Sequence, residues 1–247
     1  MRKPVLPFSR IGAFPPHFAF LAGNDAAVLH LQAARQSRMI RLGDPMPLTL
    51  DIFRETIASH LAVVEALRQE GHAFERIATR MSEAILSGKK ILWCGNGGSA
   101  ADSQHLAAEL VGRFNKERRA LPSLALSTNT SILTAIGNDY SYDVVFRRQV
   151  EAMCQAGDVV VGISTSGNSR NVVMALEAAR ERGAFTVAFS GQSGGKIAEI
   201  ADASLRIPSN ETPRIQEGHI LCGHMLCDCI ERAVYEAENA MKKPQTA

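Results

Sequence analysis

The amino-acid sequence predicts an α/β fold: a doubly wound, five-stranded parallel sheet that follows N-terminal helices and precedes a long C-terminal helix. Three patterns support this prediction. Apolar residues recur every three to four positions over residues 48–87, short apolar runs alternate with helical segments from residue 90 onward, and the largely apolar segment 212–243 begins with Thr-Pro. Strands that alternate with helices are typical of a parallel sheet with helices on both faces.

The first 46 residues show none of these patterns. Residues 1–46 contain several Pro and Gly and lack a clear apolar period, so we expect a disordered extension. A second possibility is that translation starts at Met39 or Met46. A targeting peptide is not expected, because Pro15 and Pro16 would break the apolar core of a signal sequence.

Two structured regions are predicted after this extension. Residues 47–88 form the N-terminal helices, which Gly71 divides into two. Residues 89–240 form the sheet domain together with the last helix, for which Thr212 and Pro213 provide a strong start signal. The predicted strands span residues 90–95, 122–127, 157–163, 184–189 and 203–207.

The composition argues against two kinds of partner. A net charge of +2 gives no support for binding a polyanion such as nucleic acid. No run reaches the roughly 18 apolar residues that span a membrane, so we expect no membrane partner. The five cysteines are an odd number without C-x-x-C spacing, which favours reduced thiols and a cytoplasmic location. Cys222 and Cys229 fit core packing on the last helix.

Two loops at the ends of predicted strands have the composition of anion-binding sites. Residues 95–99 read Gly-Asn-Gly-Gly-Ser, and Ser99 with Asp102 forms an S-x-x-D helix start. Residues 164–171 read STSGNSRN and place four hydroxyls before a helix. Free amides and the helix dipole favour phosphate at such an N-terminus.

One Gly-Ser loop of this kind could simply turn the chain. Two loops at the ends of the first and third strands are more informative, because these strands are neighbours in the flavodoxin-like order 2-1-3-4-5. The loops would then face each other where the strand order reverses, which is where such sheets bind ligands. Neither dinucleotide nor nucleoside triphosphate fingerprints are present. The pair therefore predicts a site for a phosphorylated small molecule.

His105 and Glu109 are four residues apart on the helix that the first loop opens, so both project from one face. Taken alone, such a pair is most often a surface ion pair. Gln216 and His224 share one stripe of the last helix, and His224 lies among apolar residues, where its ring needs a polar partner.

Two glycines lie inside the predicted last helix. Gly218 and Gly223 would each cost about 1 kcal/mol relative to alanine. They either allow close backbone approach at an interface or loosen the helix that presents His224.

Five motifs together resemble one known family. They are, in order, CGNGGSAADSQHLAAEL, GND, GDVVVGISTSGNSRNV, SGQSGGKIAEIAD and RIQEGHILCGH. In this order they resemble the bacterial phosphoheptose isomerases of the sugar isomerase (SIS) domain superfamily, over about residues 50–240. The resemblance implies an aldose-ketose isomerase that converts sedoheptulose 7-phosphate to D-glycero-D-manno-heptose 7-phosphate through an enediolate. It also implies a homotetramer with active sites between subunits and one zinc ion (Zn2+) per site.

The resemblance assigns roles to matching residues. The implied metal ligands are His105, Glu109, Gln216 and His224. The implied substrate contacts are Asn96, Gly97, Gly98, Ser99, Asn138, Asp139 and Gln216, with a phosphate cradle of Ser164, Thr165, Ser166 and Ser169. Glu109 would be the catalytic base, and His224 would manage protons on the sugar oxygens. Glutamine is an unusual zinc ligand, and a metal-bound Glu109 would have to change roles to act as base.

Two other functions remain open. A related SIS-domain tetramer is not an enzyme but binds the replication initiator protein, and it has other residues at the positions of Glu109 and His224. The presence of both residues here favours the enzyme. A sugar-phosphate sensor without turnover would share the fold, because fold alone does not determine function.

Overall fold

A computed structural model describes residues 50–242 of the chain. The predicted disordered extension, residues 1–46, lies outside the described residues. Helices α1 (Leu50–Ala66) and α2 (Gly71–Leu86) come first and are separated by a short 3-10 turn. The second helix begins at Gly71, where the sequence predicts the division.

Five parallel strands form the sheet. They are β1 (Ile91–Gly95), β2 (Ser123–Ala125), β3 (Val159–Ile163), β4 (Phe185–Ser190) and β5 (Ala203–Arg206). Their order is β2-β1-β3-β4-β5, and every neighbouring pair is parallel. The predicted doubly wound fold and flavodoxin-like order are therefore confirmed.

Within the described residues, six more α-helices connect and follow the strands. They are α3 (Gly98–Val111), α4 (Thr130–Asp139), α5 (Val145–Met153), α6 (Arg170–Glu181), α7 (Gly195–Ile200) and α8 (Thr212–Lys242). Helix α8 has 31 residues. It begins at Thr212, the predicted capping residue, and so starts one residue before Pro213. Within residues 50–242, no helix combines the length and the apolar character needed to cross a membrane.

The strands place alternate side chains in two hydrophobic cores. Ile91 and Trp93 of β1 face a core that is completed by α2, α3 and α8. Leu92 and Cys94 face the opposite core, which is completed by α5, α6 and α7. Successive strand side chains point to opposite faces, so buried strands of this kind are apolar at every position. All five cysteines are free thiols, and Cys222 and Cys229 contribute to the first core, as predicted.

Helix α8 packs closely against two neighbours at its two glycines: α3 at Gly223 and the residue after β5 at Gly218. A Cβ atom at Gly223 would lie 2.5 Å from Cδ1 of Leu106 on α3, and one at Gly218 would lie 2.7 Å from Cγ2 of Ile207. Both glycines therefore allow close approach within the chain, and α8 continues through them without a break. The sequence left open a close approach at an interface, which stays a prediction; the close approaches observed within residues 50–242 join elements of one chain.

Replacing Gly223 by alanine should destabilise the protein, because Leu106 is fully buried and cannot move away freely. We expect a net loss of about 1–2 kcal/mol in the free energy of unfolding, since overpacking exceeds the gain in helix propensity. Gly137→Ala on α4 is the matched control, because nothing lies within 4 Å of a Cβ there. Urea unfolding should show that control to be neutral or stabilised, and equal effects of both substitutions would contradict the packing interpretation.

The stability of the protein should also depend on His219 of α8, which is fully buried. Its Nε2 donates to the carbonyl of Ser190 at 3.1 Å, and its Nδ1 has no hydrogen-bond partner among residues 50–242. Loss of solvation lowers the pKa of His219 from 6.5 to about 4. The unfolded chain therefore binds a proton in this range that the folded chain does not, and stability falls as the pH falls.

We expect His219 to account for a loss of about 3 kcal/mol in unfolding free energy as the pH falls from 7 to 4. His219→Gln should remove this component, because its amide can donate to Ser190 without titrating. Urea unfolding of the wild type and of His219→Gln across this pH range isolates the contribution of His219. The other titrating groups are common to both proteins, so their contributions cancel in the difference between the two free energies. If the unfolding free energies of the two proteins changed with pH in parallel, this contribution of His219 would be ruled out.

Candidate functional site

The first predicted loop turns the chain sharply from β1 into α3. Gly97 has a φ of 56°, a conformation that favours glycine, and α3 begins immediately afterwards at Gly98. A Cβ atom at Gly98 would overlap the side-chain amide of Gln216 on α8. The glycines of this loop thus allow α8 to lie directly over the start of α3.

The predicted Ser99–Asp102 helix start is wrong. Gly97 occupies the capping position, and in the part of the chain that the structure describes no side chain caps α3. Ser99 cannot cap this helix, because α3 already begins at Gly98. Ser99 is buried in the first turn, where its carbonyl accepts from Ser103 Oγ at 2.8 Å. Asp102 caps nothing, and burial raises the pKa of its carboxyl to about 6.

The second predicted loop forms a compact group of hydroxyls between β3 and α6. Ser164 Oγ lies 2.9 Å from Ser169 Oγ and 3.5 Å from Ser166 Oγ. Ser169 is the residue that precedes α6, so these hydroxyls surround the N-terminus of that helix. Hydroxyls and free amides in this position can donate to a phosphate without any lysine.

The loop rests on the segment that follows β4. Gly167 has a φ of 70°, and a Cβ atom there would overlap the carbonyl of Gly194. The amide of Ile197 donates to the carbonyl of Gly167 at 3.0 Å, and that of Gly191 donates to Thr165 at 3.0 Å. A cavity of about 330 Å³ opens beside these residues. Its lining comprises Thr165, Ser166, Asn168, Gly191, Gln192, Ser193, Ser209, Asn210, Thr212 and Ile215.

A reciprocal amide pair joins the two loops. Asn96 Nδ2 donates to Asn171 Oδ1 at 2.9 Å, and Asn171 Nδ2 donates back to Asn96 Oδ1 at 2.9 Å. Asn171 is buried in the first turn of α6. The two loops therefore meet across the neighbouring strands β1 and β3, as the strand order predicts.

His105, Glu109 and His224 form one polar cluster. His105 Nε2 lies 3.0 Å from Glu109 Oε1 and 3.1 Å from His224 Nε2. The side chain of His105 is 49% exposed and that of Glu109 is 25% exposed, so solvent or a ligand reaches them. Phe114 packs against the ring of His224 with 5.6 Å between centroids. The polar partner that His224 requires is thus His105.

The cluster fits a metal ion. One donor atom from each of its three residues lies within 4.8 Å of the others. A single imidazole hydrogen shared between a carboxylate and a second imidazole makes two weak bonds, whereas a cation would satisfy all three groups at once. Two imidazoles and one carboxylate form a recognised donor set for zinc that leaves a position open for a ligand.

The other predicted site residues lie outside this cluster. The amide of Gln216 lies against Gly98, near the start of α3. Asn138 and Asp139 are exposed at the end of α4, where Asn138 Nδ2 donates to Asp139 Oδ1 at 2.9 Å. Within residues 50–242, neither of them hydrogen-bonds to the two loops. Their roles as substrate contacts stay predictions.

Sequence reasoning missed Asn171 and Phe114. Asn171 belongs to the STSGNSRN segment, but nothing in its local sequence indicates that it is buried against Asn96. Phe114 lies three residues beyond α3, in a segment without a motif, and approaches His224 only through the packing of α8.

Comparison with known proteins places these features in a family context. The SIS domain family matches residues 53–191. The phosphoheptose isomerase of Aquifex aeolicus (strain VF5) is 55% identical over 185 residues, which are 75% of this chain and 95% of that protein.

Solved structures give the same result. A phosphoheptose isomerase from Neisseria gonorrhoeae is 47% identical and covers 73% of this chain and 99% of its own, with a TM-score of 0.65. One from Francisella tularensis is 34% identical and covers 75% of this chain and 100% of its own, with a TM-score of 0.72.

Asn171→Asp should weaken the link between the loops, because it removes the donor to Asn96 and buries a charge. We expect a loss of about 1–3 kcal/mol in the free energy of unfolding, measured by urea titration. Asn210→Asp is the control, since that residue is exposed and its amide donates to Gln192 Oε1 at 3.1 Å. The control should cost less than about 0.5 kcal/mol. Similar losses in both variants would argue against a structural role for the amide pair.

Proposed function

The chain belongs to the phosphoheptose isomerases within the SIS domain family, and we propose that it converts sedoheptulose 7-phosphate to D-glycero-D-manno-heptose 7-phosphate through an enediolate. The observation that carries this proposal is the convergence of Glu109 with two imidazoles, His105 and His224, from two helices. Family membership rests on relatives such as the Aquifex aeolicus enzyme, 55% identical over 95% of its length.

Glu109 acts as the base in this proposal. Moving the carbonyl between C1 and C2 requires removal of a proton from one carbon and its return to the next. Oε1 of Glu109 faces His105, and within the described part of the chain Oε2 makes no hydrogen bond. One carboxylate can therefore contact the imidazole through one oxygen and take up the proton with the other.

His224 manages protons on the substrate oxygens. An imidazole can both accept and donate a proton, which suits ring opening and proton transfer between the two hydroxyl positions. Its contacts with His105 and Phe114 hold the ring in one orientation. A fixed ring reduces the entropy lost when the transition state forms.

The two loops hold the substrate. The hydroxyls of Ser164, Thr165, Ser166 and Ser169 bind the phosphate together with the N-terminus of α6. Anchoring the phosphate fixes C1 and C2 relative to Glu109. The remaining proposed contacts to the sugar are Asn96, Gly97, Gly98, Ser99, Asn138, Asp139 and Gln216.

We also propose that the cluster binds zinc through His105, Glu109 and His224. The resemblance implies Gln216 as a fourth ligand, whereas its amide lies outside the cluster, against Gly98 at the start of α3. Zinc, when bound, would polarise the substrate carbonyl as a Lewis acid. The donor chemistry of the three converging side chains supports this assignment.

A homotetramer is the assembly that we propose. Helix α1 supports it with a row of exposed apolar side chains spaced by three or four residues, which is typical of a subunit contact. These are Leu50, Phe53, Ile57 and Leu61, between 44% and 63% exposed. We propose a cytoplasmic location as well, because all five cysteines are free thiols.

The alternative function is a non-catalytic tetramer that binds the replication initiator protein. The relatives described above do not support it, since they are named for the isomerase. Glu109 and His224 are also both in place, and they converge on His105.

Glu109→Gln should reduce kcat by about 10²–10⁴-fold, because it removes the base while keeping the shape of the side chain. NMR of purified protein with sedoheptulose 7-phosphate measures aldose formation directly. Glu83→Gln is the control, since it only removes an exposed ion pair with Arg80 on α2.

Full activity of Glu109→Gln would exclude Glu109 as the base. Wild-type protein that is inert with and without zinc, yet binds the initiator protein, would favour the alternative function.

A further inference from the structure

Glu231 of α8 is a fully buried carboxylate two helical turns beyond His224. It accepts hydrogen bonds from the backbone amides of Phe114, Asn115 and Lys116 at 2.9, 2.6 and 2.8 Å. It also forms an ion pair with Arg118, whose Nε lies 3.2 Å from Oε1. Both side chains are 0% exposed. One carboxylate of α8 therefore holds the whole segment that follows α3.

Arg118 connects the same carboxylate to the end of α3. Its Nη2 donates to the backbone carbonyl of Glu109 at 2.9 Å. Its Nη1 donates to the carbonyls of Leu110, Gly112 and Arg119 at 2.9, 3.0 and 2.9 Å. The last carbonyls of a helix have no partner within that helix, and a guanidinium satisfies several of them at once. Arg118 thus holds the backbone of Glu109 directly.

These bonds link the two helices that carry the polar cluster. His105 and Glu109 come from α3, and His224 comes from α8, so their donor atoms converge only if the helices keep one register. The contact of Gly223 with Leu106 sets the distance between the helices. The Arg118–Glu231 pair connects α8 to the C-terminal end of α3, and the same carboxylate accepts from the amide of Phe114, whose ring contacts that of His224.

Stability alone is a weak explanation for this pair. Burying two charges costs solvation that their attraction often fails to recover, and well-packed apolar residues can be equally stable. Fixing one arrangement is the better-attested use of such buried ionic groups. The pair suits that use because Arg118 binds the backbone of Glu109 on α3, while Glu231 lies on α8, the helix that carries His224.

We propose that Arg118 and Glu231 are positioning residues that set the approach of His224 to His105 and Glu109, and so tune metal binding at this cluster. This inference rests on the proposed function, because it concerns the same site. Neither residue touches the substrate in this proposal. Their effect passes through the backbone of Glu109 and through Phe114.

The test compares Glu231→Gln with Asp158→Asn. Asp158 is a matched control because it is 1% exposed, accepts from the amides of Lys90 and Gln155 at 3.0 and 2.7 Å, and pairs with Lys90 Nζ at 2.6 Å. Asp158 directly precedes β3, at the N-terminal end of that strand, whereas the two loops follow the C-terminal ends of β1 and β3. Both substitutions remove one buried charge, so both should lower the thermal midpoint.

Metal binding should separate the two variants. Isothermal titration calorimetry with Zn2+ should show about a tenfold or larger loss of affinity for Glu231→Gln and wild-type affinity for Asp158→Asn. The visible absorption of the Co2+-loaded protein, which reports coordination geometry, should change only for Glu231→Gln. With sedoheptulose 7-phosphate, kcat should fall while KM stays within about twofold, because the phosphate cradle is untouched.

If Glu231→Gln does not fold, Arg118→Lys serves as the second variant for the zinc-binding test. It keeps the charges balanced but cannot reach four carbonyls, so it should also weaken zinc binding. Wild-type zinc affinity in the folded variants, or an equal loss in Asp158→Asn, would overturn the proposal. So would a wild-type chain that binds no zinc. A wild-type chain that binds zinc without turnover would contradict the proposed function, and the affinities would still decide the positioning roles.

Discussion

The close packing of α8 along α3 is the constraint on which the candidate site depends. The contacts advance together along both helices: Gln216 lies against Gly98, Gly223 against Leu106, and His224 against His105. The helices therefore run in the same direction, and glycine at two of these points lets them approach closely. Three donor atoms from two helices can converge within 4.8 Å only at such a separation.

The sheet provides the second half of the site. Because β1 and β3 are hydrogen-bonded neighbours, the loops that follow them open at one edge, and the Asn96–Asn171 amide pair joins them. Helix α3 starts in the first loop and carries His105 and Glu109 away from it, whereas the hydroxyls of the second loop surround the N-terminus of α6. The polar cluster and the proposed phosphate cradle therefore belong to different helices, and the amide pair connects the two loops that precede them.

The parts of this arrangement that depend on local pattern could be predicted from sequence. Apolar runs and helical periods gave the five strands and the helices, and the strand order followed from the fold class. Features that depend on tertiary contact could not be predicted. Asp102 has the spacing of a capping residue, yet Gly97 turns the chain first and leaves that carboxylate partly buried. Glu231 appears in sequence as one more charge on an amphipathic helix, and its three amide donors lie more than a hundred residues earlier.

The separation of α3 and α8 along the chain also bears on biosynthesis. Arg118 leaves the ribosome well before Glu231, so the nascent chain carries an uncompensated guanidinium, and only His105 and Glu109 of the polar cluster, until its final helix emerges. Domains fold as units once their sequence is available. A chain interrupted before α8 would expose the apolar face of the sheet that α8 covers.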